Sequence, residues 1–168
     1  MRRTAILAPV LFLSVAAAAG AETPRPAGEL LAQASATAHA SGRNVMVAFH
    51  ASWCGYCRKL KALLADPDFA NTFRNSYEVV WLDVLEREGK EHLENPGGRE
   101  LMSTLGGSGG LPFVAVLTPD GGLKGTNDGI GYPVAPAEID AFLAMLKTTG
   151  PRITEADLAR LRARLTAK

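Results

Sequence analysis

Cysteine is scarce in this chain of 168 residues, which has two cysteines and three histidines. A structural zinc site commonly uses two cysteine pairs, or one pair with two histidines. The three histidines are scattered along the chain, at His39, His50 and His92. No metal site is therefore expected. Haem attachment is excluded as well, because Arg58 rather than a histidine follows the second cysteine.

The chain also lacks an excess of charge of either sign. It carries 18 basic and 17 acidic residues, a net charge of +1. Arg2 and Arg3 are included, so the chain without its acid-free first 21 residues carries −1. The chain therefore lacks the positive electrostatic field that would attract nucleic acid or anionic lipid, and no nucleic-acid partner is expected. Length and a hydrophobic content of 47% fit one globular domain with a real core.

A long hydrophobic run occurs only near the N-terminus. Arg2 and Arg3 form a basic start, an apolar stretch covers residues 6–19, and small residues follow. The pattern predicts a signal peptide over residues 1–21, cleaved before Glu22. An uncleaved membrane anchor is the alternative, for which the apolar stretch is of borderline length. A bacterial-looking leader would place the mature protein in the periplasm, an oxidising compartment.

Both cysteines lie in the motif Trp53-Cys54-Gly55-Tyr56-Cys57. An apolar run over residues 45–49 precedes the motif and predicts a buried strand. Residues 58–64 follow the motif and predict a helix. The first sulfur then falls at a helix N-terminus, where unpaired N–H groups favour a thiolate, the form that attacks disulfides. The motif predicts a redox-active dithiol. A permanent structural disulfide is the alternative, although so short a loop would constrain the unfolded chain little.

Periodicity and turn residues predict the remaining elements. The predicted segments are helix 27–40, strand 44–50, a motif helix to 65, a helix from 67 through 73, strand 77–84, an exposed excursion 85–95, helix 98–105, a glycine-rich loop 106–110, strand 113–117, return strand 123–125, a glycine-rich loop 127–133, helix 135–146 and a last helix from 155. Asp66 is predicted to cap a helix that starts at Pro67, and a kinked continuation of the motif helix is the alternative.

Four segments follow from this organisation. They are a signal peptide over 1–21, a flexible arm over 22–26, a main domain over 27–149 and a C-terminal helical extension over 150–168. Thr154 opens the last helix with a capping-box pattern. The leucine stripe of that helix, Leu158, Leu161 and Leu165, is predicted to pack back on the domain, in preference to binding a partner.

The chain resembles the thioredoxin-like family. The resemblance rests on the cysteine motif after a strand, the Leu111-Pro112-Phe113 step before a later strand, and the order of elements over residues 27–146. It is strongest to periplasmic thiol:disulfide oxidoreductases, including the C-terminal domain of the transmembrane thiol:disulfide interchange protein. The implied fold class is α/β: a thioredoxin fold with a central mixed β-sheet flanked by helices, here with an extra C-terminal helix.

The resemblance also implies roles for individual residues. Cys54 would be the nucleophile and Cys57 the resolving thiol, so that the two form a disulfide in the oxidised protein. The implied substrate-binding residues are Trp53, Gly55, Tyr56, Leu111 and Pro112. Pro112 would follow a cis peptide bond, and the backbone before it would pair with an extended substrate segment. Trp53 fits a core aromatic equally well.

One departure from the family pattern concerns the second cysteine's proton. Aligned through the cysteines, Ala48 and Trp81 stand where cytoplasmic thioredoxin has a buried aspartate and a lysine. The usual proton acceptor is therefore missing. Water, Glu78, Asp83 or His50 are the candidate replacements, and His50 fits a purely structural role better.

The resemblance implies an exported, monomeric enzyme that reduces or exchanges disulfides in other exported proteins. No cofactor is implied. A reductase in an oxidising compartment would need a membrane electron-donor protein to reduce it again. The alternative is a non-catalytic binding module that holds a partner or assists copper-site assembly. Composition and motif leave the direction of electron flow and the identity of the substrates open.

Overall fold

The computed structural model describes residues 23–167, so the predicted signal peptide over residues 1–21 lies outside the described residues. The described elements are α1 Ala27–Ser41, β1 Asn44–His50, α2 Gly55–Ala65, α3 Ala70–Ser76, β2 Tyr77–Asp83, α4 Gly98–Thr104, β3 Phe113–Leu117, β4 Leu123–Thr126, α5 Pro136–Thr149 and α6 Glu155–Thr166. A single 3₁₀ turn, Glu91–Leu93, interrupts the connection from β2 to α4. The predicted order of helices and strands is confirmed.

The strands form one mixed sheet in the order β2-β1-β3-β4. β1 and β2 are parallel, whereas β3 is antiparallel to both β1 and β4. β1 is a central strand, and its apolar residues from Val45 to Phe49 are buried, as a strand covered on both faces requires. The chain leaves β1 in the middle of the sheet and enters the cysteine motif there, so the motif follows a strand that is paired on both sides.

Side chains alternate across β1 and divide the core into two layers. Met46 and Ala48 face one cluster, which α2, α3, α5 and α6 complete. Val45, Val47 and Phe49 face the other cluster, which α1 and α4 cover. The predicted fold class, an α/β fold with helices on a central mixed sheet, is confirmed.

The C-terminal helix belongs to the first of these layers. Leu158 and Leu161 are buried in the core cluster, and Leu165 packs against its edge. The predicted packing of the leucine stripe on the domain is therefore confirmed. The capping box is confirmed too, because Thr154 Oγ accepts from the Asp157 N–H while Asp157 accepts from the Thr154 N–H, each at 3.1 Å.

The sequence-based start of the third helix is wrong. α3 begins at Ala70, and the chain over 66–69 forms a turn instead of a first helical turn at Pro67. An Asp66 side-chain oxygen accepts from the Asp68 N–H at 3.0 Å, which is a local turn that competes with capping a helix. Within the predicted arm over 22–26, the Arg25 carbonyl accepts from the Asn95 side chain, and the Arg25 guanidinium donates to Glu29 and Gln33 on α1.

No helix within residues 23–167 combines the length and the apolar composition needed to cross a bilayer.

Candidate active site

Cys54 and Cys57 are joined by a disulfide across the first turn of α2. Cys54 has extended backbone angles and is the N-cap of the helix, and its Sγ accepts a hydrogen bond from the Cys57 N–H at 3.1 Å. This is the helix N-terminus expected from the motif. In the reduced protein the same N–H and the helix dipole would stabilise negative charge on the Cys54 sulfur.

Both cysteines are covered in the oxidised protein, each with 3% of its surface exposed. They form a small apolar cluster with Ala51, and Leu111 packs against this cluster from the other side of the motif. Exposure therefore does not distinguish the two sulfurs. What distinguishes them is position, since only Cys54 stands at the cap of the helix.

The peptide bond between Leu111 and Pro112 is cis, as the resemblance implied. Asn127, for which the sequence predicts only a place in a glycine-rich loop, holds the backbone around this peptide bond. Its side-chain oxygen accepts from the Val114 N–H, and its amide donates to the Gly131 carbonyl at 2.8 Å and to the Pro112 carbonyl at 3.4 Å. The residue is buried, and every polar atom of its side chain has a partner.

A groove of about 320 Å³ lies next to the cysteine motif and is lined by Tyr56 of the motif, although by neither cysteine. Leu111 and Pro112 line it too, so three of the five expected substrate-binding residues meet there. Residues of the two glycine-rich loops, 106–110 and 127–133, also line it. Gly55 opens α2 and does not line this groove.

Trp53 lies outside the groove with 41% of its surface exposed. Its Nε1 donates to the Leu85 carbonyl at 2.8 Å, so the indole is fixed in place although it is exposed. The alternative interpretation of Trp53 as a core aromatic is wrong. Leu85 has a φ of 54°, a left-handed conformation that costs energy for a leucine. The carbonyl of this residue is the one that accepts the indole hydrogen bond.

A buried carboxylate, Glu86, anchors the loop that carries the motif. It is 6% exposed, and its two oxygens accept from the Ser52 N–H and from the Ser52 hydroxyl. The Glu86 N–H in turn donates to Glu94, whose carboxylate is held by Arg99 at 2.6 Å. The bond to Arg99 also keeps the pKa of Glu94 below its ordinary value.

Sequence reasoning missed this anchor because residues 85–95 were interpreted as an exposed excursion. A usable signal was present. Glu86 follows a buried strand that runs parallel to β1, and the carboxyl ends of parallel neighbours meet at one edge of the sheet. A charged residue just past β2 is therefore placed next to the loop just past β1.

The two residues that depart from the family pattern lie side by side on neighbouring strands. Ala48 on β1 is the register partner of Trp81 on β2. A methyl group and an indole thus occupy the place of an aspartate and a lysine, and Lys61 Nζ lies 5.6 Å from the Trp81 ring centroid. This pairing is apolar and supplies no proton acceptor.

His50 and Asp83, two of the candidate proton acceptors, are partners at the adjacent ends of β1 and β2. His50 Nε2 lies 3.4 Å from Asp83 Oδ1, and its ring packs edge-on against Trp81. Burial lowers the pKa of His50, with Asp83 opposing the shift, and burial raises the pKa of Asp83. The contacts with Asp83 and Trp81 fit a structural role for His50. His50 and Asp83 also form a titratable pair at the carboxyl ends of β1 and β2.

Glu78, a third candidate acceptor, is in the wrong place. It lies near the start of β2, five residues before Asp83 and roughly 16 Å away at 3.3 Å per residue. Its carboxylate pairs with Arg43 at 2.7 Å. The Glu78 ion pair therefore lies at the opposite end of β2 from Asp83.

Within residues 23–167 no three His, Cys, Asp or Glu side chains cluster in a way that would hold a metal ion.

Two solved structures are similar to this chain. A disulphide isomerase from Xylella fastidiosa Temecula1 is 20% identical with a TM-score of 0.53, over 84% of this chain and 92% of that chain. The oxidised C-terminal domain of DsbD from Neisseria meningitidis is 20% identical with a TM-score of 0.52, over 76% of this chain and 99% of that domain. At this level of identity the likeness establishes a shared fold.

No curated protein sequence matches the chain significantly. A family model does match, over residues 29–119, and its description is thioredoxin-like. The match spans more than half of the chain and includes both cysteines and the cis proline. The chain therefore belongs to the thioredoxin-like family.

Proposed function

We propose that this protein is an exported thiol:disulfide oxidoreductase that reduces or exchanges disulfides in other exported proteins. The observation that carries the proposal is Cys54 at the N-cap of α2, with its sulfur accepting from the Cys57 N–H, next to a groove that Tyr56 and Pro112 line. Two proteins of similar fold, one described as a disulphide isomerase and one as a DsbD domain, support the same activity.

The chemistry requires only the two sulfurs. In the reduced protein the Cys54 thiolate attacks one sulfur of a substrate disulfide, which forms a mixed disulfide and releases the first substrate thiolate. Cys57 then loses its proton and attacks the Cys54 sulfur, which releases the second substrate thiolate and leaves the Cys54–Cys57 disulfide. Two electrons pass to the substrate. The Cys57 proton goes to water or to the His50–Asp83 pair.

The remaining expected residues have binding roles in this proposal. The backbone at Leu111 and Pro112 pairs with an extended substrate segment, and Tyr56 forms a wall of the same groove. Trp53 and Gly55 are the chain neighbours of the attacking Cys54 and do not line this groove. We assign no metal or cofactor to the site.

The proposal includes a segment organisation. Residues 1–21 are a signal peptide, residues 22–26 an arm, residues 27–149 the catalytic domain and residues 150–168 a helical extension. The protein acts as a monomer in the periplasm and is reduced again by a membrane electron-donor protein. Mass spectrometry of the protein isolated from the periplasm is expected to show an N-terminus at Glu22. An intact Met1 on the periplasmic protein would contradict the leader.

The activity is tested with a disulfide-linked peptide that carries no charge. Pre-reduced wild-type protein is expected to convert one disulfide to two thiols per molecule, whereas Cys54→Ser falls to the uncatalysed rate. Wild-type turnover by Cys54→Ser would overturn the proposal. Tight copper(I) binding without any peptide reduction would instead favour the non-catalytic binding module.

A further inference from the structure

Aromatic and cationic side chains lie around the cysteine motif, on the motif itself, on α2 and in two loops that contact them. Trp53 and Tyr56 are exposed, at 41% and 49%, and Tyr132 is half-buried beside Tyr56. The basic residues among them lie on α2 and just past β2. We call the following six residues the rim: Trp53, Tyr56, Arg58, Lys59, Arg87 and Tyr132.

The rim cations lie on aromatic rings or on backbone carbonyls. Tyr56 and Tyr132 are stacked with ring centroids 6.2 Å apart, and Lys59 Nζ lies 5.1 Å and 6.0 Å from the two centroids. Arg87 Cζ lies 5.2 Å from the Trp53 centroid. Cation–π contacts of this kind hold a charge in place without neutralising it. Arg58 donates to the Ser52 carbonyl at 3.2 Å.

Among the described residues, none of the three rim cations has a carboxylate within 4 Å. Seven of the twelve other described cations do have such partners. Ion pairs hold Arg25 to Glu29, Arg43 to Glu78, Arg99 to Glu94, Lys147 to Glu155, Arg160 to Asp157, Arg162 to Asp140 and Arg164 to Asp66. The rim differs from the other cations without a partner in its place, because its three charges lie beside the cysteine motif and are not held in ion pairs.

The carboxylates near the groove are already engaged by donors. Asp128 accepts from the Ser108 hydroxyl at 3.1 Å. Glu138 accepts from the backbone N–H groups of Val134 and Ala135, at 2.8 Å each. These acids line the end of the groove formed by loop 127–133 and the start of α5, whereas the rim cations lie on α2 and in the loop after β2.

We propose that the rim selects disulfide substrates with an aspartate or glutamate next to the reacting cysteine. An acidic side chain there reaches Lys59 or Arg87, and the peptide beside it packs on the exposed rings. Both the encounter rate and the lifetime of the complex rise when the substrate charge is opposite to that of the site. This inference names a substrate class for the proposed function and rests on it.

The test uses three disulfide-linked peptides in which two aspartates, two serines or two lysines flank the cysteine. Single-turnover rate constants for reduction by the reduced protein are divided by the rate constants for dithiothreitol, which removes the intrinsic effect of charge on the disulfide. The normalised preference for the aspartate over the lysine peptide is expected to be roughly tenfold at low salt. It should fall severalfold at about 0.5 M salt, where the Debye length is only a few ångströms.

Charge removal locates the preference. The double variant Lys59→Gln and Arg87→Gln is expected to reduce the ratio to less than about twofold, since both cations that an acid would meet are gone. Lys124→Gln is the matched control, because Lys124 is an exposed lysine on β4 that carries the same charge but lies outside the rim. Its ratio should equal that of the wild type.

Each other outcome overturns the inference. Equal normalised rates for the three peptides, with the serine peptide still reduced, would remove the substrate preference and leave the proposed activity intact. A preference that survives in the double variant would show that the rim is not its source. Failure to reduce the serine peptide at all would defeat the proposed activity and this inference together.

Discussion

Glu86 shows, at the scale of a single residue, how a side chain outside the cysteine motif controls the motif's position. Its carboxylate binds the N–H and the hydroxyl of Ser52, two residues before Cys54, across a separation of 34 positions in the chain. A buried carboxylate is tolerated only when such donors compensate for its lost hydration. The loop after β1 therefore depends on the loop after β2.

Replacing Glu86 tests this dependence. Glu86→Ala is expected to lower the free energy of unfolding by about 1–3 kcal/mol, because the Ser52 N–H loses its acceptor. Peptide reduction should slow as well, because the loop that presents Cys54 is no longer anchored. Glu86→Gln should be milder, since an amide oxygen still accepts. Urea unfolding and the peptide assay measure the two effects.

Glu88→Ala is the control for that experiment, because Glu88 is exposed in the same loop. Its effect on stability is expected to stay within about 0.5 kcal/mol. If Glu88→Ala and Glu86→Ala cost the same, the loss would come from the charge of the loop and not from the anchor at Ser52.

Predictions for single residues succeeded where the role depends on neighbours in the sequence. They failed where the role depends on contacts with distant segments of the chain. Cys54, Cys57 and Pro112 are recognisable from their neighbours in the sequence, and the cis bond at Pro112 is confirmed. Glu86 and Asn127 are not recognisable in this way. Their roles come from partners that distant segments bring to them, which no local pattern encodes.

At the scale of elements, α6 is joined to the domain by one carboxylate as well as by its leucines. Asp157 accepts from the N–H and hydroxyl of Thr154 within its own capping box. It also accepts from the Thr72 hydroxyl on α3 at 3.0 Å. One side chain thus starts α6 and fastens it to a neighbouring helix.

Asp157→Asn is expected to lower the free energy of unfolding at pH 7 by roughly 1 kcal/mol, because the charge-assisted hydrogen bonds from Thr154 and Thr72 become weaker neutral ones. The hydrogen bond from Thr154 holds the pKa of Asp157 below its ordinary value of 3.8. The stabilisation from ionised Asp157 is therefore present in full above the ordinary pKa. It is lost as the pH falls through the lower pKa of the folded state. Chemical unfolding at pH 7 and at about pH 2.5 should show that the difference between wild type and variant shrinks at acid pH.

Glu155→Gln serves as the matched control in the same helical turn. Glu155 is exposed and pairs only with exposed Lys147, a contact of small net value. A change within about 0.5 kcal/mol at both pH values is expected. A variant of Asp157 that remained as destabilised at pH 2.5 as at pH 7 would refute the role of its charge.

Elements were predictable to the extent that periodicity and caps are local. The strand leading into the motif and the capping box at Thr154 came directly from their own residues. The start of α3 did not, since the Asp66 and Pro67 pattern fits both a helix cap and a turn. The Asp66 oxygen closes the turn on the Asp68 N–H, and the helix starts later.

At the scale of the whole molecule, the sheet has a helical layer on each face, and α6 completes one of them. Leu161 is fully buried in the cluster that also contains Phe73, Phe142 and Leu146. The order of elements along the chain predicted this arrangement, because a central apolar strand must be covered on both faces. Which face α6 would cover was not encoded locally.

Two leucines of α6 test its part in the core. Leu161→Ala is expected to cost about 2–5 kcal/mol, since a cavity would remain in a closed layer. Leu165→Ala, at the half-buried edge of the same stripe, should cost less than about 2 kcal/mol. Equal costs in urea unfolding would mean that α6 is not a part of the core.

The central claim is that the helix N-terminus activates Cys54 and not Cys57. The most direct measurement is the rate of alkylation at pH 7 of the two single-cysteine variants, Cys57→Ser and Cys54→Ser. We expect the free Cys54 thiol to react at least about tenfold faster than the free Cys57 thiol, because only Cys54 caps the helix. Equal rates, or a faster Cys57, would contradict the claim.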